Sequence, residues 1–375
     1  MDNKKIVILS DSHVGNGADC SWFYETSTNN YPQYLTDMLN YLAQDNSIQE
    51  LLILGDFFDL WVYPLDYIPW TPEQIISHWD NTIMDALRAC VKNIPNVYYQ
   101  NGNHDMTVSA AQVEAIAVGD KTVQWISIAD YNQKYKGLLH CEHGNAIDMF
   151  NAPVPAGGNS SECLNQKPLG YYMARILASM TKESEFSAWD LMCDEITKSC
   201  KAYTPNNGLQ LGKQMVSIII DLLLKEANSG GADLNDNSVF KFANNENNVS
   251  IADVKNSYQN ILNLWYKEDD PDWLSNCALV MFKPNRTGLN WYAQQLVQQN
   301  DAKLVVMGHV HHNEWYSEGL TGQYINDGCW CNATPDPAPR YAEVIIAPSG
   351  QLNMSLFGWD KNSNVGKLIR SGIIP

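Results

Sequence analysis

Short apolar runs, each closed by a polar or glycine cluster, recur along this chain: Ile6–Leu9, Leu51–Leu54, Val97–Gln100, Leu138–Cys141 and Leu304–Met307. Their apolarity is continuous rather than alternating, which predicts strands buried on both faces. Between them the spacing becomes helical. Leu35, Met38, Leu39 and Leu42 recur at intervals of three and four. Thr71-Pro72-Glu73-Gln74 reads as a capping box with proline at the first helical position, ahead of a buried face of Ile75, Ile76, Trp79, Ile83 and Leu87. Strands alternating with helices predict an α/β sandwich.

From about Asn151 to Pro284 the pattern is helix after helix. One stripe is Leu169, Tyr172, Met173, Ile176, Leu177 and Met180; a second is Leu211, Met215, Ile218, Ile219, Leu222 and Leu223. A third runs through Ile251, Val254, Tyr258, Ile261, Leu262 and Trp265, and a looser fourth through Phe186, Trp189, Cys193 and Ile196. The Asn-rich stretch Asn235–Asn248 reads as a surface loop. Strand patterning returns at Tyr324–Cys331, Tyr341–Ala347 and Gln351–Phe357. The division this predicts is a discontinuous α/β domain, 1–150 and 285–375, carrying a helical cap insertion at 151–284.

The composition, 45% hydrophobic and 11% aromatic over 375 residues, supports a globular chain with ample core. A net charge of −18 argues against duplex nucleic acid as a partner. The apolar run after Lys4-Lys5 is too short for a signal-peptide core, and no stretch approaches a membrane span, so the expected location is the cytoplasm. The nine cysteines are irregularly spaced and read as buried thiols.

Chemistry follows each strand. Asp11-Ser-His13 succeeds the first, Gly55-Asp56-Phe-Phe-Asp59 the second, and Gly102-Asn103-His104-Asp105 the third. Glu142-His143-Gly144 and Gly308-His309-Val-His311 succeed the fourth and fifth. Ligands of open α/β sheets gather at the carboxyl ends of strands, so five strands deliver Asp, His, Asp, Asn and three further His to one edge. Each piece alone is a plausible turn or cap. Their conjunction in this order is the signal. His140 should point to the opposite strand face from His143, His78 should lie solvated on a helix, and His312 adjoins the last motif.

These ordered motifs resemble those of the calcineurin-like metallophosphoesterases, over Ile6–Asn145 and from Leu304 onward. The resemblance implies their β-sandwich flanked by helices and a pair of divalent cations. One would be held by Asp11, His13, Asp56 and His311. The other would be held by Asp56, Asn103, His143 and His309, with Asp56 bridging. Mixed imidazole and carboxylate donors suit Mn²⁺ best, with Fe or Zn²⁺ as alternatives. Attack by a metal-bridging hydroxide on a phosphorus ester or anhydride is the chemistry implied. His104 would act as general acid or charge stabiliser, Asp105 would fix its tautomer, and Asp59 would support the site without binding metal.

Gly55-Asp-Phe-Phe-Asp-Leu-Trp61 and Tyr324-Ile-Asn-Asp-Gly-Cys-Trp330 are similar to segments of the UDP-2,3-diacylglucosamine hydrolase group. The chain departs from that group's pattern at His104, where the group's best-known members have arginine, and at Asn145, where they have aspartate. The expected substrate is a small-molecule phosphoester, nucleotide- or lipid-linked. A nuclease and a non-catalytic scaffold on the same fold are the alternatives. The aromatic segment Trp61–Trp70 reads either as a pocket wall or as a packed loop.

Overall fold

The computed structural model describes residues 3–26, 28–153, 164–181, 188–243, 247–270, 272–282, 288–300, 302–316, 323–332 and 339–374. Cys163, Phe186, Pro284 and part of the Asn-rich stretch lie outside the described residues. The chain divides into two compact units: residues 1–59, 70–144 and 289–375, and residues 60–69 with 145–288.

The first unit contains two main sheets, besides a small hairpin of Ala117–Val118 with Lys121–Thr122. Strands β1 (Lys4–Leu9), β2 (Ile48–Leu54), β3 (Asn96–Gln100) and β4 (Gln124–Trp125) run parallel. Strands β5 (Leu139–Cys141), β6 (Leu304–Met307), β7 (Asn313–Tyr316) and β8 (Gln323–Asp327) form the smaller sheet, in the order β7-β8-β6-β5. The larger sheet is completed by β9 (Arg340–Ile346), β10 (Leu352–Asp360) and β11 (Val365–Ile374), antiparallel beyond β1. Alternate residues of the larger sheet, Ile6, Ile8, Leu52, Leu54, Val344 and Met354, share one core with Leu139, Cys141, Leu304, Val306 and Ile325 of the smaller. The intervening Val7, Leu9, Leu51 and Ile53 are buried as well, which is why these runs carry no alternation. The unit is thus an α/β sandwich whose sheet is flanked by helices.

The capping box at Thr71 forms, with both of its hydrogen bonds, but the helix it opens ends at His78. A π-turn over Asp80–Met84 then leads into a second helix, Asp85–Asn93. Ile75, Ile83 and Leu87 are buried; Ile76 and Trp79 are only half-buried, because the π-turn shifts the register of the face.

The second unit is helical, with Leu169–Ala178, Trp189–Ala202 and Gly208–Ser229 as its longest elements. In the last of these the buried face is Met215, Val216, Ile219, Ile220 and Leu223, while Ile218 is exposed. The third stripe is two short helices, Ile251–Ser257 and Ile261–Trp265. Residues 60–69, expected within the α/β part, fall in this unit. The cause is Arg175, fully buried, which donates to the carbonyls of Tyr63 (3.2 Å), Pro64 (2.8 Å), Leu65 (3.1 Å) and Tyr67 (2.5 Å). Trp61, Val62, Tyr63 and Leu65 are buried, as a packed loop requires. No helix of the described residues is long and apolar enough to cross a membrane.

Candidate metal centre

The parallel strands end side by side, and their loops are laced together. Asp11 N–H donates to the Gly55 carbonyl (3.2 Å), His13 N–H to that of Asp56 (2.9 Å) and Val14 N–H to that of Phe57 (2.7 Å). This lacing forces unusual backbone on the residues that carry chemistry. Asp11, His13, Asp56, His309 and His311 all take positive φ, between 50° and 73°, and they are five of the eight described non-glycine residues that do. Such backbone costs about 1–3 kcal/mol per residue and concentrates at functional sites. Gly102 and Gly308 are required by close approach: a Cβ on the first would strike the Asp56 carboxylate, and on the second the Asp11 carboxylate.

Asp11, His13, Asp56, Asn103, His143, His309 and His311 are all buried, and the donor atoms of six of them converge. His13 Nε2 lies 3.0 Å from His311 Nε2, and His311 Nε2 lies 3.2 Å from Asp11 Oδ1. Asp56, His143 and His309 form a second cluster. Asp56 belongs to both, because Oδ1 accepts from His104 N–H at 2.7 Å while Oδ2 sits 3.1 Å from His143 Nε2 and 3.9 Å from His13 Nε2. His143 is aimed from behind: its Nδ1 bonds the Leu54 carbonyl at 2.9 Å, which leaves Nε2 for the centre.

The donor set fits cations. Asp11 Oδ1, Asp56 Oδ2, Asn103 Oδ1 and His143 Nε2 are buried with no aligned hydrogen-bond partner among the described residues. Orphaned polar atoms of this kind are costly unless something charged sits between them. Burial pushes the Asp11 and Asp56 carboxyls up, but the surrounding imidazoles outweigh it and hold both low. Burial pulls His143 down, yet Asp56 and Asp11 carry it up to about 10.

The two acids near His104 exchange their expected roles. His104 Nδ1 meets Asp59 Oδ1 at 3.0 Å. Asp105 instead accepts from the Gly102 and Phe57 N–H groups (2.6 and 2.9 Å) and from the Tyr99 hydroxyl (2.5 Å). Asp105 therefore braces the loop, and its carboxyl is pushed up to about 6 by burial and by Asp56. Asp59 also lies 3.7 Å from His13 Nδ1. Burial lowers the His104 pKa, against the pull of Asp59.

Other parts were not anticipated. Ser10 Oγ reaches Asp327 Oδ1 at 2.6 Å and also contacts Asp11 Oδ2. The one hydroxyl hydrogen of Ser10 is shared between two carboxylates, and burial and Asp11 push the Asp327 carboxyl up. Trp22 packs against His13, His104 and His311, with ring centroids 5.0, 5.2 and 5.6 Å away. Trp22 lies in a loop without a motif, and only its aromatic type could have hinted at this. Among the remaining histidines, His140 bonds Glu142 at 2.8 Å, His78 is exposed beside Trp70 and Trp79, and His312 is half-buried.

Residues 4–175 match the family described as calcineurin-like phosphoesterase. No curated protein matches the chain. Among solved structures, Vacuolar Protein Sorting 29 from Cryptosporidium parvum is 10% identical with a TM-score of 0.34, covering 100% of this chain and 99% of that one. A dimetal phosphatase from Danio rerio is 9% identical with a TM-score of 0.36, covering 100% and 99%. A single-mutant Vps29 from Entamoeba histolytica is 19% identical with a TM-score of 0.20, covering 24% of this chain and 49% of that one. The chain thus spans about half the length of the Entamoeba protein. None of these likenesses is close enough to assign a substrate.

Proposed function

We propose, with the match of residues 4–175 to the calcineurin-like phosphoesterases as premise, that this chain is a two-metal hydrolase of small-molecule phosphoric esters or anhydrides. The observation that carries the reading is the gathering of buried Asp and His donor atoms from four strand ends into clusters that share Asp56, with orphaned oxygen and nitrogen atoms among them. Asp11, His13, Asp56 and His311 would hold one cation, and Asp56, Asn103, His143 and His309 the other, with Asp56 in both sets. When bound, such a pair acidifies a water and neutralises charge on phosphoryl oxygens.

The chain's own residues do the rest. The Leu54 carbonyl fixes the His143 tautomer, and the His104 N–H fixes the Asp56 carboxylate so that its second oxygen faces both clusters. His104, with Nδ1 on Asp59, would present Nε2 to the leaving oxygen and donate a proton there. Trp22, against three of the imidazoles, would keep bulk water from them. The acidic balance of the whole chain favours small phosphoesters over duplex nucleic acid.

The test is metal uptake followed by turnover. Metal-depleted protein reloaded with Mn²⁺ or Zn²⁺ should approach about two equivalents and hydrolyse p-nitrophenyl phosphate or its diester. Asp56→Ala should be the most damaging single change, since it strips a ligand from both positions. Uptake of no metal, or normal activity in Asp56→Ala, would overturn the reading.

A further inference from the structure

The loop that follows β8 brings a sulfur to the first metal position. Trp330 N–H donates to the Asp11 carbonyl at 2.9 Å, and Asn332 N–H to the Trp22 carbonyl at 2.9 Å. Cys331 lies between these two bonds, fixed to the loop that carries Asp11 and His13 and to the one that carries Trp22. Its side chain is fully buried, and its Sγ lies within 4.8 Å of a ring nitrogen of both His13 and His311, which are themselves within that distance of each other. The same two imidazoles flank Asp11 Oδ1, which is buried and lacks a hydrogen-bond partner, at 3.8 and 3.2 Å. The same two imidazoles thus have a carboxylate oxygen and a sulfur within reach.

We propose that Cys331 is a thiolate ligand of the first cation, completing the set Asp11, His13, Asp56 and His311 and selecting a thiophilic ion there. On binding, the S–H bond breaks, a sulfur–metal bond forms and the proton leaves to solvent. A soft sulfur donor shifts preference away from Mn²⁺ and Mg²⁺, which favour oxygen shells, toward Zn²⁺ or Fe²⁺. The second position, with Asn103, His143 and His309, has no sulfur in its cluster among the described residues and keeps the harder donor set. The two ions should therefore differ in kind. This inference rests on the two-metal reading above.

Cobalt(II) is the probe, because a thiolate bound to it gives a charge-transfer absorption in the near ultraviolet that nitrogen and oxygen donors do not. Metal-depleted full-length protein is reloaded with Co²⁺, its cobalt content measured and its absorption recorded. The wild type should show the band, Cys331→Ser should lose it while retaining cobalt at the second position, and Cys329→Ser should keep it. Bound cobalt with no band in the wild type overturns the inference while leaving the two-metal reading intact, whether or not any variant folds. A band that persists in Cys331→Ser, or disappears in Cys329→Ser instead, also overturns it. Absence of bound cobalt sinks both readings together.

Discussion

His104 is held by Asp59 through one ring nitrogen, packed edge-on against His13 at 4.5 Å and flanked by Trp22. These contacts set an orientation and group His104 with His13 and Asp59, apart from the Asp11–His13–Asp56 and Asp56–His143–His309 clusters. His104→Ala should therefore lower turnover by about 10²–10⁴-fold on substrates with poor leaving groups, and much less on nitrophenyl esters, whose leaving oxygen needs little protonation. Metal content should stay at the wild-type level, as elemental analysis would show; a loss of metal would move His104 into the ligand set. At this scale the candidate ligands were legible because Asp, Asn and His in glycine-flanked motifs are chemistry-bearing types. Which acid holds His104 was not. Asp105 is adjacent in sequence, but its oxygens are taken by backbone N–H groups and Tyr99, and the partner comes from another strand's loop. The positive φ at five candidate ligands was equally hidden, since it arises from lacing between loops.

Among the elements, the parallel strands were the most readable, since burial on both faces writes a continuous apolar run. The strand β11 was missed for the converse reason. It is a sheet edge with mostly exposed side chains, Leu368, Ile369 and Ile373 among them, so nothing in Val365–Ile374 alternates or stays apolar. The join between β1, β2 and the helix Ile128–Lys134 carries a charge that can be tested. Glu50, with its side chain fully buried on the core-facing side of β2, meets Lys4 and Lys134, each at 2.8 Å, and the Tyr135 hydroxyl. Burial pushes its carboxyl up, but the two ammonium groups and the phenol outweigh it and leave it below the usual range. A depressed carboxylate stabilises the fold above its unfolded pKa, about 4.3, and that contribution fades as pH falls through the lower folded value. Glu50→Gln should cost about 1–3 kcal/mol at neutral pH, discounted because both lysines are partly exposed. Urea midpoints of the two proteins should draw together as pH falls from about 4.3 through that lower folded value. A gap independent of pH would show that packing, and not charge, is what the substitution disturbs.

For the whole molecule, the change from strand to helix patterning near residue 150 was plain, and the path of residues 60–69 was not. That segment follows a strand-end motif directly, and it is tied to the helical unit by groups distant in sequence: the buried guanidinium of Arg175, the Ser179 hydroxyl and the Lys241 N–H. The thiols have a consequence for the life of the molecule outside its folded state. Seven of the eight described cysteines are buried, and burial carries Cys90 and Cys200 up to about 12. While folded, such sulfurs are poor nucleophiles. Unfolding releases them together, with an ordinary pKa of about 8.5, into a chain where any pair can join. Heating in air should therefore be a one-way passage: a second calorimetric scan should recover the transition with reductant present and lose it without. Equal recovery in both would mean that oxidation does not govern its reversibility. In a reducing environment the chain can be stretched open and fold again, and in an oxidising one each unfolding is a chance to be trapped, so its lifetime would be set by how seldom it opens.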